Sequence, residues 1–123
     1  MGGQILLFDD EPNIIEAIRF ILTRGGYSVA SHGNGLDAMA VIVAASPDLV
    51  ILDLMLPGRS GFAILQDLRS NPDTAALPVL MLTAKGQPRD REMAERLGAS
   101  LFLSKPFANT EILASVRSLL APP

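Results

Sequence analysis

The sequence predicts an α/β layered domain built on a parallel sheet, and three observations carry that reading. Short apolar runs alternate five times with helix-like stretches, and no internal repeat interrupts them. The runs at 4–8, 48–52 and 78–82 are nearly continuous in aliphatic residues, as strands covered on both faces must be. A chain of 123 residues, 49% of them hydrophobic, can fill one core, which argues against disorder and leaves no room for a second domain.

The remaining strands are expected at 28–31 and 101–103. Helix one should run from about Pro12 to Arg24, with Asp10 able to cap it, Pro12 in its first turn and Gly25-Gly26 ending it. Ile14, Ala17, Ile18, Ile21 and Leu22 recur at helical spacing and form its buried stripe, with Phe20 on the opposite face. Helix two, Gly35 to Ala45, is apolar almost all round after Asp37. Helix three, Gly61 to Arg69, follows the turn Pro57-Gly58-Arg59-Ser60, with Ser60 as its cap. Helix four, about Pro88 to Leu97, is highly charged and stops at Gly98. Helix five, about Asn109 to Leu120, buries Leu113, Val116 and Leu120. Pro122 and Pro123 cannot continue it, so residues 121–123 read as a tail or the start of a linker on a single domain spanning 1–123.

Composition removes several function classes. A net charge of −3 and the lack of any Lys/Arg run or aromatic platform argue against direct nucleic-acid binding. The absence of Cys excludes disulfides and thiolate metal sites, and the single His32 cannot form a His-rich site alone. The longest apolar run, Ala38 to Ala45, is far too short to cross a membrane. Leu6 occupies the position where a myristoylation signal needs Ser or Thr, and no cleavable secretory pattern is present. The expected setting is therefore the cytoplasm.

Four of the apolar runs end in polar residues of one chemistry. The first runs into Asp9-Asp10, the third into Asp53, the fourth into Thr83 and the fifth into Lys105. In an open parallel sheet, ligands bind beyond the carboxyl ends of the strands, where these side chains would meet. The three carboxylates would repel a phosphate dianion, and Lys105 offsets only one of them; one Mg²⁺ would neutralise the set. Phosphoryl transfer needs mainly positioning and charge stabilisation, which a metal and a lysine on opposite sides supply. Asp53, after the central strand, is the best-placed nucleophile for an aspartyl phosphate. Thr83 can hydrogen-bond a phosphoryl oxygen, and the small Ala84 leaves access. Taken singly, Asp9 or Asp10 could be a helix cap, Asp53 a turn residue and Lys105 a surface lysine. Their shared placement at one end of successive strands favours the joint reading.

With these residues in view, the sequence closely resembles the receiver domain of bacterial two-component response regulators. The resemblance spans residues 4–120. It is carried by Leu7-Phe8-Asp9-Asp10-Glu11-Pro12, Asp53-Leu54-Met55-Leu56-Pro57-Gly58, Leu82-Thr83-Ala84-Lys85, and Gly98-Ala99 through Lys105-Pro106-Phe107. It implies a flavodoxin-like (βα)5 doubly wound parallel sheet in the order 2-1-3-4-5. Asp53 would be the phosphoacceptor. Mg²⁺ or Mn²⁺ would be held by the side chains of Asp10 and Asp53, by the Met55 backbone carbonyl, and by Asp9 mainly through water. Lys105 would pair with the phosphoryl group and precede a cis peptide at Pro106, while Thr83 and Phe102 would form the switch pair, the ring turning inward behind Thr83. Met55 and Lys85 stand where the family tunes the lifetime of the phosphorylated state. The donor would be a phosphohistidine on a sensor histidine kinase or a histidine phosphotransfer protein. Such a domain is a phosphoacceptor that promotes its own phosphorylation and dephosphorylation, rather than an enzyme acting on other molecules.

Leu101 departs from the acidic residue frequent in the family, which weakens one dimer mode, and Phe102 lacks a tyrosine hydroxyl. A haloacid-dehalogenase-type phosphatase needs a second Asp two residues after its nucleophile, where this chain has Met55 or Glu11. A flavodoxin would need a first loop rich in Ser and Thr, and Asp9-Asp10-Glu11 would instead repel its phosphate. The remaining alternative is a receiver-shaped interaction module that does not depend on phosphorylation. Helix two and Phe20 carry more apolar surface than one core face needs. Small alanines and ordinary exposed apolar residues account for this; a contact with an output domain, a docking protein or a second copy in a homodimer is the rival. The chain contains no output segment of its own, so the expectation is either a stand-alone receiver or one followed by a further domain.

Overall fold

The computed structural model describes residues 3–84 and 87–121. Lys85, a position expected to influence phosphate lifetime, lies outside the described residues, as do Pro122 and Pro123. Strands β1 (Gln4–Phe8), β2 (Ser28–His32), β3 (Leu49–Asp53), β4 (Val79–Thr83) and β5 (Leu101–Ser104) alternate with helices α1 (Pro12–Arg24), α2 (Ala38–Ala45), α3 (Gly61–Ser70), α4 (Pro88–Leu97) and α5 (Asn109–Leu120). All four strand pairings are parallel, in the order β2-β1-β3-β4-β5. The architecture is the flavodoxin-like one.

Side-chain alternation along the strands builds a core on each face of the sheet. Leu6, Phe8, Val50, Leu52, Val79, Met81 and Phe102 pack with residues of α2, α3 and α4. Ile5, Leu7, Leu49, Ile51, Leu80 and Leu82 pack with residues of α1 and α5. The central strands β3 and β4 are buried at every position, which is why their sequences are unbroken apolar runs. Strand order reverses between β1 and β3, and such a switch point opens a crevice beyond their carboxyl ends.

The structure corrects several local expectations. Asp10 does not cap α1; Glu11 holds the cap position, and the bond at this corner runs from the Glu11 N–H to Asp9 Oδ1 at 2.9 Å. Ala17 is exposed, because the stripe centres on Ile18, Ile21 and Leu22 and position 17 falls on its outer margin. Helix α2 starts at Ala38 rather than Gly35. The Gly35 N–H donates to the Pro57 carbonyl at 2.8 Å and the Leu36 N–H to Asn34 Oδ1 at 2.7 Å, which commits these residues to a turn. In α5 the buried positions are Ile112 and Val116, with Leu113 and Leu120 only partly covered. Leu113 sits at the rim against Gly25, where a Cβ would come within 2.7 Å of its Cδ1. The Ser60 cap forms as expected, its Oγ accepting from the Ala63 N–H at 3.2 Å.

Candidate functional site

Parallel register brings the polar ends of the apolar runs together. Asp9 directly follows β1, Asp53 is the last residue of β3, Thr83 the last of β4, and Lys105 directly follows β5. Backbone bonds lock this end of the sheet, from the Leu54 N–H to the Leu82 carbonyl at 2.8 Å and from the Lys105 N–H to the Thr83 carbonyl at 2.6 Å. The Lys105–Pro106 peptide is cis.

The carboxylates of Asp9, Asp10 and Asp53 each present an oxygen within 4.8 Å of the others. Asp9 and Asp53 are buried at 0% and 3% exposure, whereas Asp10 faces solvent at the mouth. Lys105, its side chain 8% exposed, places Nζ 2.8 Å from Asp9 Oδ2, 2.8 Å from Glu11 Oε1 and 3.5 Å from Asp53 Oδ2. Thr83 is buried at 2% exposure. The Met55 N–H donates to Asp53 Oδ1 at 3.3 Å, while the Met55 side chain stands 74% exposed.

The electrostatics follow from this geometry. Burial raises the Asp53 carboxyl above its ordinary value; Lys105 pulls it back, Asp9 pushes it further up, and the Met55 N–H opposes the rise. Burial works against the Lys105 ammonium, but Asp9 and Glu11 together hold it up to about 12. The pocket therefore concentrates more negative charge than its one lysine balances. Asp9 Oδ2 is buried and makes no hydrogen bond, its ion pair with Lys105 lying outside hydrogen-bond geometry. Three clustered carboxylates, balanced by a single lysine, fit a hard divalent cation of the Mg²⁺ type.

Phe102 is 9% exposed and already lies inward, packed in the core on the α3 and α4 side. The Arg91 guanidinium of α4 stands 5.1 Å above its ring. Sequence reasoning missed Arg91 in this contact and Glu11 as a partner of Lys105. For Glu11 the available signal was its place next to the two aspartates.

Glycine at 61 keeps this loop close to α3. A Cβ there would fall 2.5 Å from the Asp53 carbonyl oxygen and 2.9 Å from Leu54 Cα, both backbone atoms that cannot rotate away. Gly61→Ala should therefore lower stability by about 1–3 kcal/mol. It should also weaken Mg²⁺ binding through displacement of Asp53. Urea denaturation and titration calorimetry measure the two effects; an unchanged metal affinity would show that the loop absorbs the methyl without moving the carboxylate.

Comparison with known proteins agrees with this arrangement. The family model for the response regulator receiver domain matches residues 5–117. The DNA-binding dual master transcriptional regulator RpaA of Synechocystis is 44% identical over 117 residues, covering 95% of this chain and 48% of that protein. The phosphate regulon transcriptional regulatory protein PhoB of Pseudomonas aeruginosa is 38% identical over 120 residues, covering 98% of this chain and 52% of that protein. The chain thus spans about half the length of the curated relatives it matches. The solved structure of the chemotaxis response regulator CheY4 of Vibrio cholerae superposes with a TM-score of 0.90 at 28% identity, covering 98% of this chain and 100% of that one. A doubly wound sheet, an acidic crevice at its switch point and a family match across nearly the whole chain lead to one assignment: this chain belongs to the response regulator receiver domain family.

Proposed function

We propose that the chain is a phosphorylation-controlled signalling switch that takes a phosphoryl group onto Asp53. The observation that carries this reading is the position of Asp53, buried at the end of the central strand, 3.5 Å from the Lys105 ammonium and clustered with the Asp9 and Asp10 carboxylates. An Asp53 carboxylate oxygen attacks the phosphorus of a phosphohistidine, the phosphorus–nitrogen bond breaks, and the imidazole leaves with the electron pair. Lys105 faces the forming phosphoryl group, and Thr83 at the end of β4 supplies a hydroxyl to one of its oxygens. Asp9, Asp10, Asp53 and the Met55 carbonyl would hold Mg²⁺ or Mn²⁺, which when bound neutralises charge on the transferring group. Thr83 and Phe102 relay the new state to the surface beside α4, where Arg91 covers the ring.

The proposed donor is a sensor histidine kinase or a histidine phosphotransfer protein in the cytoplasm. The readout passes to an output domain, a docking protein or a second copy of the chain. The proposal involves no direct contact of the domain with nucleic acid or membrane. The domain acts on its own Asp53 rather than on a separate substrate.

Acetyl phosphate tests the reading without a partner kinase. With Mg²⁺, intact-mass measurement should show the addition of one phosphoryl group per chain, and removing the cation with EDTA should abolish it. An unlabelled protein at saturating acetyl phosphate and Mg²⁺ would overturn the proposal in favour of an interaction module independent of phosphorylation.

A further inference from the structure

Lys105 has two anionic partners nearer to it than the carboxylate it would serve. Its Nζ stands 2.8 Å from both Asp9 Oδ2 and Glu11 Oε1, against 3.5 Å from Asp53 Oδ2. The Glu11 contact is also a hydrogen bond, whereas the Asp9 pair is not. Glu11 is anchored by its backbone: its N–H donates to Asp9 Oδ1 at 2.9 Å, and its carbonyl accepts from the Ile15 N–H at 3.0 Å to begin α1. Its side chain does not cap that helix and reaches across to the lysine, remaining 57% exposed at the rim.

We propose that Glu11 is a positioning residue that holds the Lys105 ammonium at the rim of the crevice and releases it when a phosphoryl group forms on Asp53. This rests on the phosphoacceptor reading given above. The ammonium is held between Glu11 Oε1 and Asp9 Oδ2, each 2.8 Å from Nζ. A phosphoryl group on Asp53 competes with Glu11 for the ammonium, which stands 3.5 Å from Asp53 Oδ2 against 2.8 Å from Glu11 Oε1, so drawing it onto the phosphoryl oxygens lengthens its bond to Glu11. The resting pair therefore opposes phosphorylation. Because Glu11 is solvent-exposed, the opposition is modest, and its removal should speed labelling about two- to tenfold.

Glu11→Gln tests this with two readouts. In the unphosphorylated, metal-free protein, the ¹H–¹⁵N ammonium signal of Lys105 should exchange with water severalfold faster once the carboxylate is gone. With Mg²⁺ and acetyl phosphate, the labelling rate should rise. Glu16→Gln, which removes the same charge from an exposed position on α1, should do neither. Unchanged ammonium exchange in Glu11→Gln overturns the proposal, as does an equal acceleration by Glu16→Gln, which would mean simple repulsion of the anionic donor. If the wild type takes no label at all, the phosphoacceptor reading fails, and the release on phosphorylation fails with it. The ammonium signal still decides separately whether Glu11 holds Lys105.

Discussion

Asp53→Asn should reduce labelling by acetyl phosphate by about 100-fold or more, to background, because an amide oxygen cannot act as the nucleophile. The substitution is nearly isosteric, and Asn Oδ1 can still accept the Met55 N–H, so circular dichroism should be unchanged. Mg²⁺ should bind more weakly, since one of three clustered carboxylates is lost. The fold itself should gain stability in metal-free buffer. Burial and Asp9 raise the Asp53 carboxyl above its unfolded value of 3.8, so its ionised form costs the native state free energy. That cost is fully present above the raised folded value and is lost as pH falls through it and below 3.8, where the group is protonated in both states. The advantage of Asp53→Asn in urea midpoint should accordingly be clear at pH 7 and shrink with acidification. Persistent labelling of Asp53→Asn at the wild-type rate would remove Asp53 as the phosphoacceptor.

Arg69→Ala should destabilise the protein by about 2–4 kcal/mol. The Arg69 guanidinium donates to three backbone carbonyls: Nε to Gly98 at 2.9 Å, and Nη1 to Leu77 at 2.7 Å and to Thr74 at 3.2 Å. It ties the end of α3 to the segment before β4 and to the turn that closes α4. Gly98 adopts φ +97°, a left-handed conformation that favours glycine, and its Cα faces the Arg69 stem. Thr74 is buried beside it, with Oγ1 donating to the Leu68 carbonyl at 2.7 Å. Truncation leaves the partly buried Thr74 and Leu77 carbonyls without a charged donor, while water can reach Gly98. Burial lowers the Arg69 value from 12.5, yet a guanidinium stays charged, so the bonds persist across ordinary pH. Urea unfolding should show a lower midpoint at unchanged slope, with Arg69→Lys intermediate because an ammonium cannot span all three carbonyls. A loss below about 1 kcal/mol would mean that water replaces the guanidinium at each carbonyl.

These two residues differ in how openly the sequence announces them. Asp53 ends an unbroken aliphatic run, and its role as a strand-end carboxylate follows from that pattern. Arg69 looks like an ordinary cation in the last turn of a helix; nothing local shows that its stem crosses to carbonyls up to 29 residues away. Glu11 is similar, since its partner Lys105 lies 94 positions away in the chain. Long charged side chains have many rotamers, and only the assembled neighbourhood selects one. The misplaced helix faces have a related cause. Ala17 and Ile112 satisfy or break a spacing rule by a fraction of a turn, and which neighbour turns inward depends on how each helix is rotated against the sheet.

The amino-acid order alone determined the alternation of elements, the location of the strand ends and the set of side chains that end them. Local chemistry suffices for that: buried parallel strands must be apolar, glycines and prolines stop helices, and ligand-binding groups sit where the strands stop. Only the tertiary structure decided which anion holds Lys105, that Phe102 already lies inward beneath Arg91, and that Asp9 Oδ2 remains without a hydrogen bond. Each depends on distances between side chains far apart in the chain, and those distances are set by packing two helical layers onto one twisted sheet.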